Sequence, residues 1–172
     1  MQRRPLSNHG ESGFTLVEIM VIVAIAALMI GFTYTGFSGT LERQRSQAAL
    51  KRINWVLKQA QMQAIEKHTN CAVRVNAGND TIQVFLDTFP GTGPNLAFDG
   101  NDTLIESINI AQEFQGVDIS QGCNFRFNSR GFPKGAFASI RLNPEDSSLE
   151  DGNITISSMG SINVEMPETW KY

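Results

Sequence analysis

The sequence predicts an α+β protein: a long N-terminal helix, apolar at first and amphipathic further on, set against an antiparallel β-rich head. Three observations lead there. Residues 14 to 37 form an almost unbroken apolar run, and residues 41 to 68 repeat apolar side chains every three or four positions. After Asn70 short stretches alternate apolar with polar residues between clusters of Gly, Pro, Asn and Asp.

Residues 1 to 13 are a polar leader carrying Arg3 and Arg4 and ending in Ser12-Gly13. Residues 14 to 37 follow as a candidate transmembrane helix, about 36 Å long at about 1.5 Å per residue against about 30 Å of hydrocarbon. The two arginines favour a cytoplasmic N-terminus, which puts the head on the other side of the membrane. Glu18 breaks the apolar run. An acid in that position costs roughly 2.5 to 3.5 kcal/mol on insertion scales, so it calls for a buried cation. Cutting after Gly13 would supply one, a new amine on Phe14 only four residues away. An ordinary secretory signal also starts basic and continues apolar, but its apolar core is about 7 to 15 residues and lacks an acid. Gly31, Gly36 and Gly39 loosen the helix where it would leave the membrane, so a bend or local melting is expected there without any proline.

From 38 to 70 the helix is expected to continue into the head. Ala49, Ile53, Val56, Leu57, Ala60 and Ala64 form a stripe for packing on a sheet, and Trp55 falls at its edge. Residues 71 to 172 form the head, with strands expected at 72–76, 81–87, 103–110, 123–128, 136–142, 153–158 and 161–166. Removing the leader leaves 159 residues with 12 basic and 16 acidic side chains. The charge is uneven. Arg43, Arg45, Lys51, Arg52, Lys58 and Lys67 outnumber Glu42 and Glu66 in the helix, whereas five basic face thirteen acidic residues from Asp80 onward. The part nearest the membrane is therefore expected to be basic and the far part acidic. Cys71 and Cys123 are the only cysteines. Outside the cytoplasm they can form a disulfide, contributing on the order of 4 kcal/mol, or remain two buried thiols.

Gly13-Phe14-Thr15-Leu16-Val17-Glu18 followed by a long apolar helix resembles the prepilin signature of type IV pilins and type II secretion pseudopilins. Three stretches of the head are similar to those of GspH/FimT-type minor pseudopilins: Val84-Phe85-Leu86-Asp87 with Asp99-Gly100-Asn101-Asp102, then Phe125 to Gly131, then Asn153 to Gly160. The resemblance implies a prepilin peptidase that cuts between Gly13 and Phe14 and methylates the Phe14 amine. It implies other pilins or pseudopilins as partners, with Glu18 paired to a neighbour's Phe14 amine. The implied location is the inner membrane, single-pass, with a periplasmic head that joins a filament after assembly.

Catalysis has little to build on. The mature chain has one histidine, His68, whose place at a helix end suits a dipole contact, and a His68–Cys71 nucleophile pair would lack an orienting third group. No cofactor is expected. Asp99, Asn101 and Asp102 are oxygen-rich enough to raise a calcium site, yet their spacing departs from the calcium-loop pattern and suits a polar hairpin tip as well. Some FimT-like minor pilins bind DNA through arginines after a C-terminal glycine. Here Gly160 is followed by Ser161-Ile162-Asn163 and later Glu165 and Glu168, so DNA is an unlikely partner. Arg130 and Lys134, flanking Gly131, are the remaining candidates for weak phosphate contact.

Overall fold

The computed structural model describes residues 14–87, 98, 102–134 and 138–171, without the side chains of 32–38. Two units divide the chain, Met1–Ser38 and Gly39–Tyr172. Helix α1 is assigned without a break from Leu16 to Glu66, so the melting expected at the glycines is not observed. Thr15 caps its start: the Glu18 amide donates to the Thr15 hydroxyl at 3.2 Å and to the Thr15 carbonyl at 3.1 Å.

The end of α1 is a Schellman turn. The Thr69 amide donates to the Ala64 carbonyl and the His68 amide to that of Ile65, with His68 at φ +52°. Glycine usually holds this left-handed position, because a Cβ costs about 1 kcal/mol there. His68 thus contributes its backbone rather than a charge. His68→Gly is expected to raise the stability of the head by about 1 kcal/mol, read from the denaturant midpoint, and His68→Ala to give no such gain.

Two antiparallel sheets cover the helix. The first has the order β3-β2-β1-β5-β6, from strands β1 (Asn70–Asn76), β2 (Thr81–Asp87), β3 (Thr103–Asn109), β5 (Asn124–Phe127) and β6 (Pro133–Lys134). In the second, β4 (Val117–Gln121), β7 (Ala138–Pro144), β8 (Gly152–Ile156) and β9 (Ile162–Glu165) lie in chain order. The alternation from Ala72 onward did mark β1, β2, β3, β5, β7, β8 and β9. Ile110, expected to close β3, instead starts a short helix α2 (Ile110–Glu113), because the Asn109 side chain caps it by accepting from the Gln112 amide at 2.9 Å.

One core joins the helix to both sheets. The predicted stripe is buried in full, together with Leu50, and it meets Val73, Val84, Phe125 and Phe127 from the first sheet and Ile140, Leu142, Ile154 and Ile156 from the second. Trp170, in a 3-10 turn over Glu168–Trp170, closes the far side. Its indole N–H donates to the Glu150 carbonyl at 2.8 Å, and Gln47 donates to its carbonyl. Gly152 makes room for the ring, since a Cβ there would lie 2.4 Å from Trp170 Cη2 and 2.8 Å from Leu50 Cδ1.

Of the two cysteine alternatives, the register accords with free thiols. Cys71 pairs with Phe127 on β5, whereas the Cys123 carbonyl accepts from the Val75 amide, four residues further along β1. Four residues of strand span about 13 Å, and a disulfide needs its Cα atoms within about 7 Å. Both thiols are free. Burial pushes Cys71 up to about 12 and Cys123 up to about 11, the latter despite a backbone hydrogen bond from Ser139 that acts in the opposite direction. Iodoacetamide should therefore leave the folded chain unmodified and add two groups once the chain is unfolded without reductant. A bridged protein would take up none in either state.

Candidate functional site

Two regions carry the features singled out in the sequence. The first is the start of α1. Leu16, Val17, Ile19, Met20, Val21, Ile22, Val23 and Ile25 are all exposed, and so is Phe14. Among the described residues this apolar surface is uncovered, and Glu18 lies in the first turn, where the helix dipole favours an acid. Thr15-Leu16-Val17-Glu18 has the Thr-x-x-Glu spacing of a helix start, a signal present in the sequence. Among the described residues no helix is long and apolar enough to cross a membrane. The apolar side chains described run from Leu16 to Gly31, about 24 Å of helix against about 30 Å of hydrocarbon. Gly13, where cleavage is expected, and the rest of residues 1 to 13 lie outside the described residues.

The second region is where the glycine turns of the head meet. Asn128–Gly131 and Ser157–Gly160 are built alike, each closed by the glycine amide donating back to the first residue's carbonyl, at 2.8 and 2.9 Å. Each ends on a glycine with positive φ, +78° at Gly131 and +81° at Gly160. The opening side chain organises each loop. Asn128 Oδ1 accepts from the amides of Arg130 and Phe132, and Ser157 Oγ from that of Ser161. One side chain from α1 then holds both turns: Gln61 Nε2 donates to the Gly131 carbonyl at 2.8 Å and to the Gly160 carbonyl at 3.1 Å. Sequence reasoning missed Gln61. Its signal is a polar residue beside Ala60 in the apolar stripe, where small neighbours let turns approach the helix.

Arg130 and Lys134 are exposed on either side of Gly131 in the chain. No further cation lies in residues 157 to 166. Two cations amount to a weak phosphate surface. Of the calcium candidates, Asp99 and Asn101 lie outside the described residues, and no group of three metal-binding side chains occurs among those described. His68 and Cys71 are separated in role, one capping α1 by its backbone and the other buried in β1.

Trp55 is more exposed than its expected edge position implied, and the Arg52 guanidinium lies 5.1 Å from its ring centroid. Arg52 is held in turn by Glu106 at 2.6 Å and Glu113 at 3.4 Å, tying α1 to β3 and α2. The charge pattern read along the chain also changes in three dimensions. At the Arg43–Arg45 end of the head, Arg45 donates to the Gln115 carbonyl at 3.4 Å, and the Asp146 amide donates to Glu42 Oε1 at 2.6 Å. Folding thus returns acids from the far sequence to the basic start of the head's helix. Desolvation raises the Asp118 carboxyl above its ordinary value, and Asp80 and Glu145 raise it further.

Comparison with known proteins bears on both regions. Residues 8–34 match the family model described as the prokaryotic N-terminal methylation motif. No curated protein matches the chain. Among solved structures, the type IV minor pilin FimU of Pseudomonas aeruginosa is similar with a TM-score of 0.52 at 14% identity, covering 72% of this chain and 90% of that one. The minor pseudopilin EpsH from the type 2 secretion system of Vibrio cholerae is similar in two crystal structures. One gives a TM-score of 0.50 at 13% identity over 72% of this chain and 98% of that one. The other gives 0.51 at 10% identity over 73% and 98%. At these identities the likeness is one of fold.

Proposed function

We propose that this chain, which carries the N-terminal motif and the head fold of the type IV pilin and pseudopilin superfamily, is a minor pilin or pseudopilin, a structural subunit of a type II secretion pseudopilus or a type IV pilus. The observation that carries the reading is the joining of two independent signs in one chain, a methylation motif over residues 8–34 and a helix-on-sheets head shared with FimU and EpsH.

The mechanism is assembly rather than catalysis. A prepilin peptidase cuts between Gly13 and Phe14 and methylates the Phe14 amine. The subunit waits in the inner membrane on the helix of residues 14 to 37, N-terminus in the cytoplasm and head in the periplasm. The exposed apolar side chains from Leu16 onward exchange lipid for neighbouring helices, and Glu18 pairs with the Phe14 amine of a neighbour. Gly13→Val is expected to leave an uncut precursor, visible as a mass larger by the leader, that is missing from filaments sheared off the cell. Normal cutting of this variant would remove the cleavage assignment, and a normally cut wild-type chain absent from sheared filaments would remove the assembly reading.

A further inference from the structure

Cys71 and Cys123 face the same core and are kept apart by the sheet that carries them. Cys71 is fully buried in β1, and Cys123 packs against the same cluster from the residue before β5. Between them stand Val73 and Phe125, paired across the two strands and both buried. The chain is built for this register at Gly122, where a Cβ would lie 2.3 Å from the Val75 carbonyl oxygen. Bringing Cys123 opposite Cys71 requires β5 to slip four residues along β1. An even slip keeps the apolar face of each strand inward, so the alternation of the sequence does not forbid it. The packing does. Phe125 would stand opposite Thr69 and Phe127 opposite Lys67, both in the turn that ends α1, and the two rings, edge to face at 5.3 Å, would leave Val73 and Cys71. A Cys71–Cys123 bridge and the native sheet therefore exclude each other.

We propose that this pair gates the folding of the head by redox state: a disulfide oxidant meeting the unfolded chain joins Cys71 to Cys123, the bridged chain cannot take up the β1–β5 register, and a dithiol reductant must open the bridge before the head folds. The exchange balances within these partners. One chain thiolate attacks a sulfur of the oxidant and expels the other as a thiolate; the second chain thiolate then displaces the remaining oxidant sulfur and closes the bridge. Two chain thiols are oxidised, one disulfide is reduced to two thiols, and the chain's two protons pass to them. The reductant runs the same steps in reverse. Folding closes the gate behind it, because burial keeps both thiols protonated at neutral pH and takes Cys71 out of reach of an attacking disulfide. Only the occasion for oxidation, a head outside the cytoplasm, is taken from the reading above. The gate itself is a property of the chain, and the purified protein tests it without that reading.

The full chain, purified in detergent, is exposed to oxidised glutathione either folded or unfolded in guanidinium chloride. The unfolded chain is expected to become a bridged monomer that runs faster on a non-reducing gel, the folded chain to keep both thiols, and bridging across the transition to follow the unfolded fraction. Once the denaturant is removed, the isolated bridged chain should recover less than about a tenth of the native near-ultraviolet circular dichroism, since losing a buried phenylalanine from the core lowers the folded fraction more than tenfold. Dithiothreitol should then restore the signal to that of a chain refolded without oxidation. A variant with Cys71→Ala and Cys123→Ala should refold to the same extent with and without the oxidant. The proposal is overturned if the bridged chain regains the native spectrum without reductant, if the folded chain is bridged as fast as the unfolded one, or if the unfolded chain forms only dimers or mixed disulfides with glutathione. An effect of the oxidant that persists in the cysteine-free variant overturns it as well.

Discussion

Replacing Glu18 by alanine is expected to leave a chain that is still cut after Gly13 but is depleted about tenfold or more from sheared filaments. The magnitude follows from stranding a buried amine. Removing one partner of a buried ion pair costs about 3 to 5 kcal/mol, and each 1.4 kcal/mol is tenfold in an equilibrium. A local role for Glu18 competes with this one, because the acid also sits in the first turn of α1, three residues after its Thr15 cap. The two roles separate by substitution. If capping is the whole role, Thr15→Ala is as harmful as Glu18→Ala and Glu18→Gln is tolerated, since glutamine also suits the third helical position. If pairing is the role, Glu18→Gln fails as badly as alanine and Thr15→Ala costs only about 1 kcal/mol of helix stability. Quantitative immunoblots of the envelope and sheared fractions give both readouts.

Trp170→Ala is expected to be the most damaging single change to the head, lowering its stability by about 3 to 5 kcal/mol and its melting midpoint by roughly 10 to 20 °C. The ring is buried against Leu50 and β8, and its loss leaves a large void together with an unpaired Glu150 carbonyl. Trp170→Phe keeps most of the volume and should lose less than half as much. A thermal melt of the detergent-held chain followed by near-ultraviolet circular dichroism decides it, and a fall of under about 3 °C for the alanine variant would show that the 3-10 turn is peripheral to the core.

What could be read in the sequence was whatever repeats locally. Ala49, Ile53, Val56, Leu57, Ala60 and Ala64 announce a buried helix face because their spacing alone sets which side they share. The strands with clear alternation were legible for the same reason. Val117 to Gln121 was not, since only Val117 and Ile119 are apolar in β4 and both of its buried positions depend on pairing with β7. Pro133–Lys134 is a strand only because β5 lies beside it. Apart from the Thr15–Glu18 helix start, the parts of the site that were missed are long-range. Gln61 reaches 70 and 99 residues along the chain, and Gln47 reaches 123 to Trp170. The choice between a disulfide and two free thiols turned on register, a quantity that composition does not contain: Cys71 pairs with Phe127, whereas Cys123 lies just before β5 and beside Val75. The charge expectation failed because Asp146 returns to Glu42 across 104 residues.

No ladder joins the two sheets among the described residues; single side chains bridge them instead. Gln61 does so at one end, and at the other Asp80 Oδ1 accepts from the Ile119 amide at 2.7 Å. The head is in this sense modular. Strands of one sheet can lengthen, shift register or gain a loop without re-pairing the other, so long as the helix face and such bridges persist. Because the shape rests on one helix face and a few bridging side chains, very different sequences can fill it, as the 10% to 14% identity of the structures that share this fold illustrates.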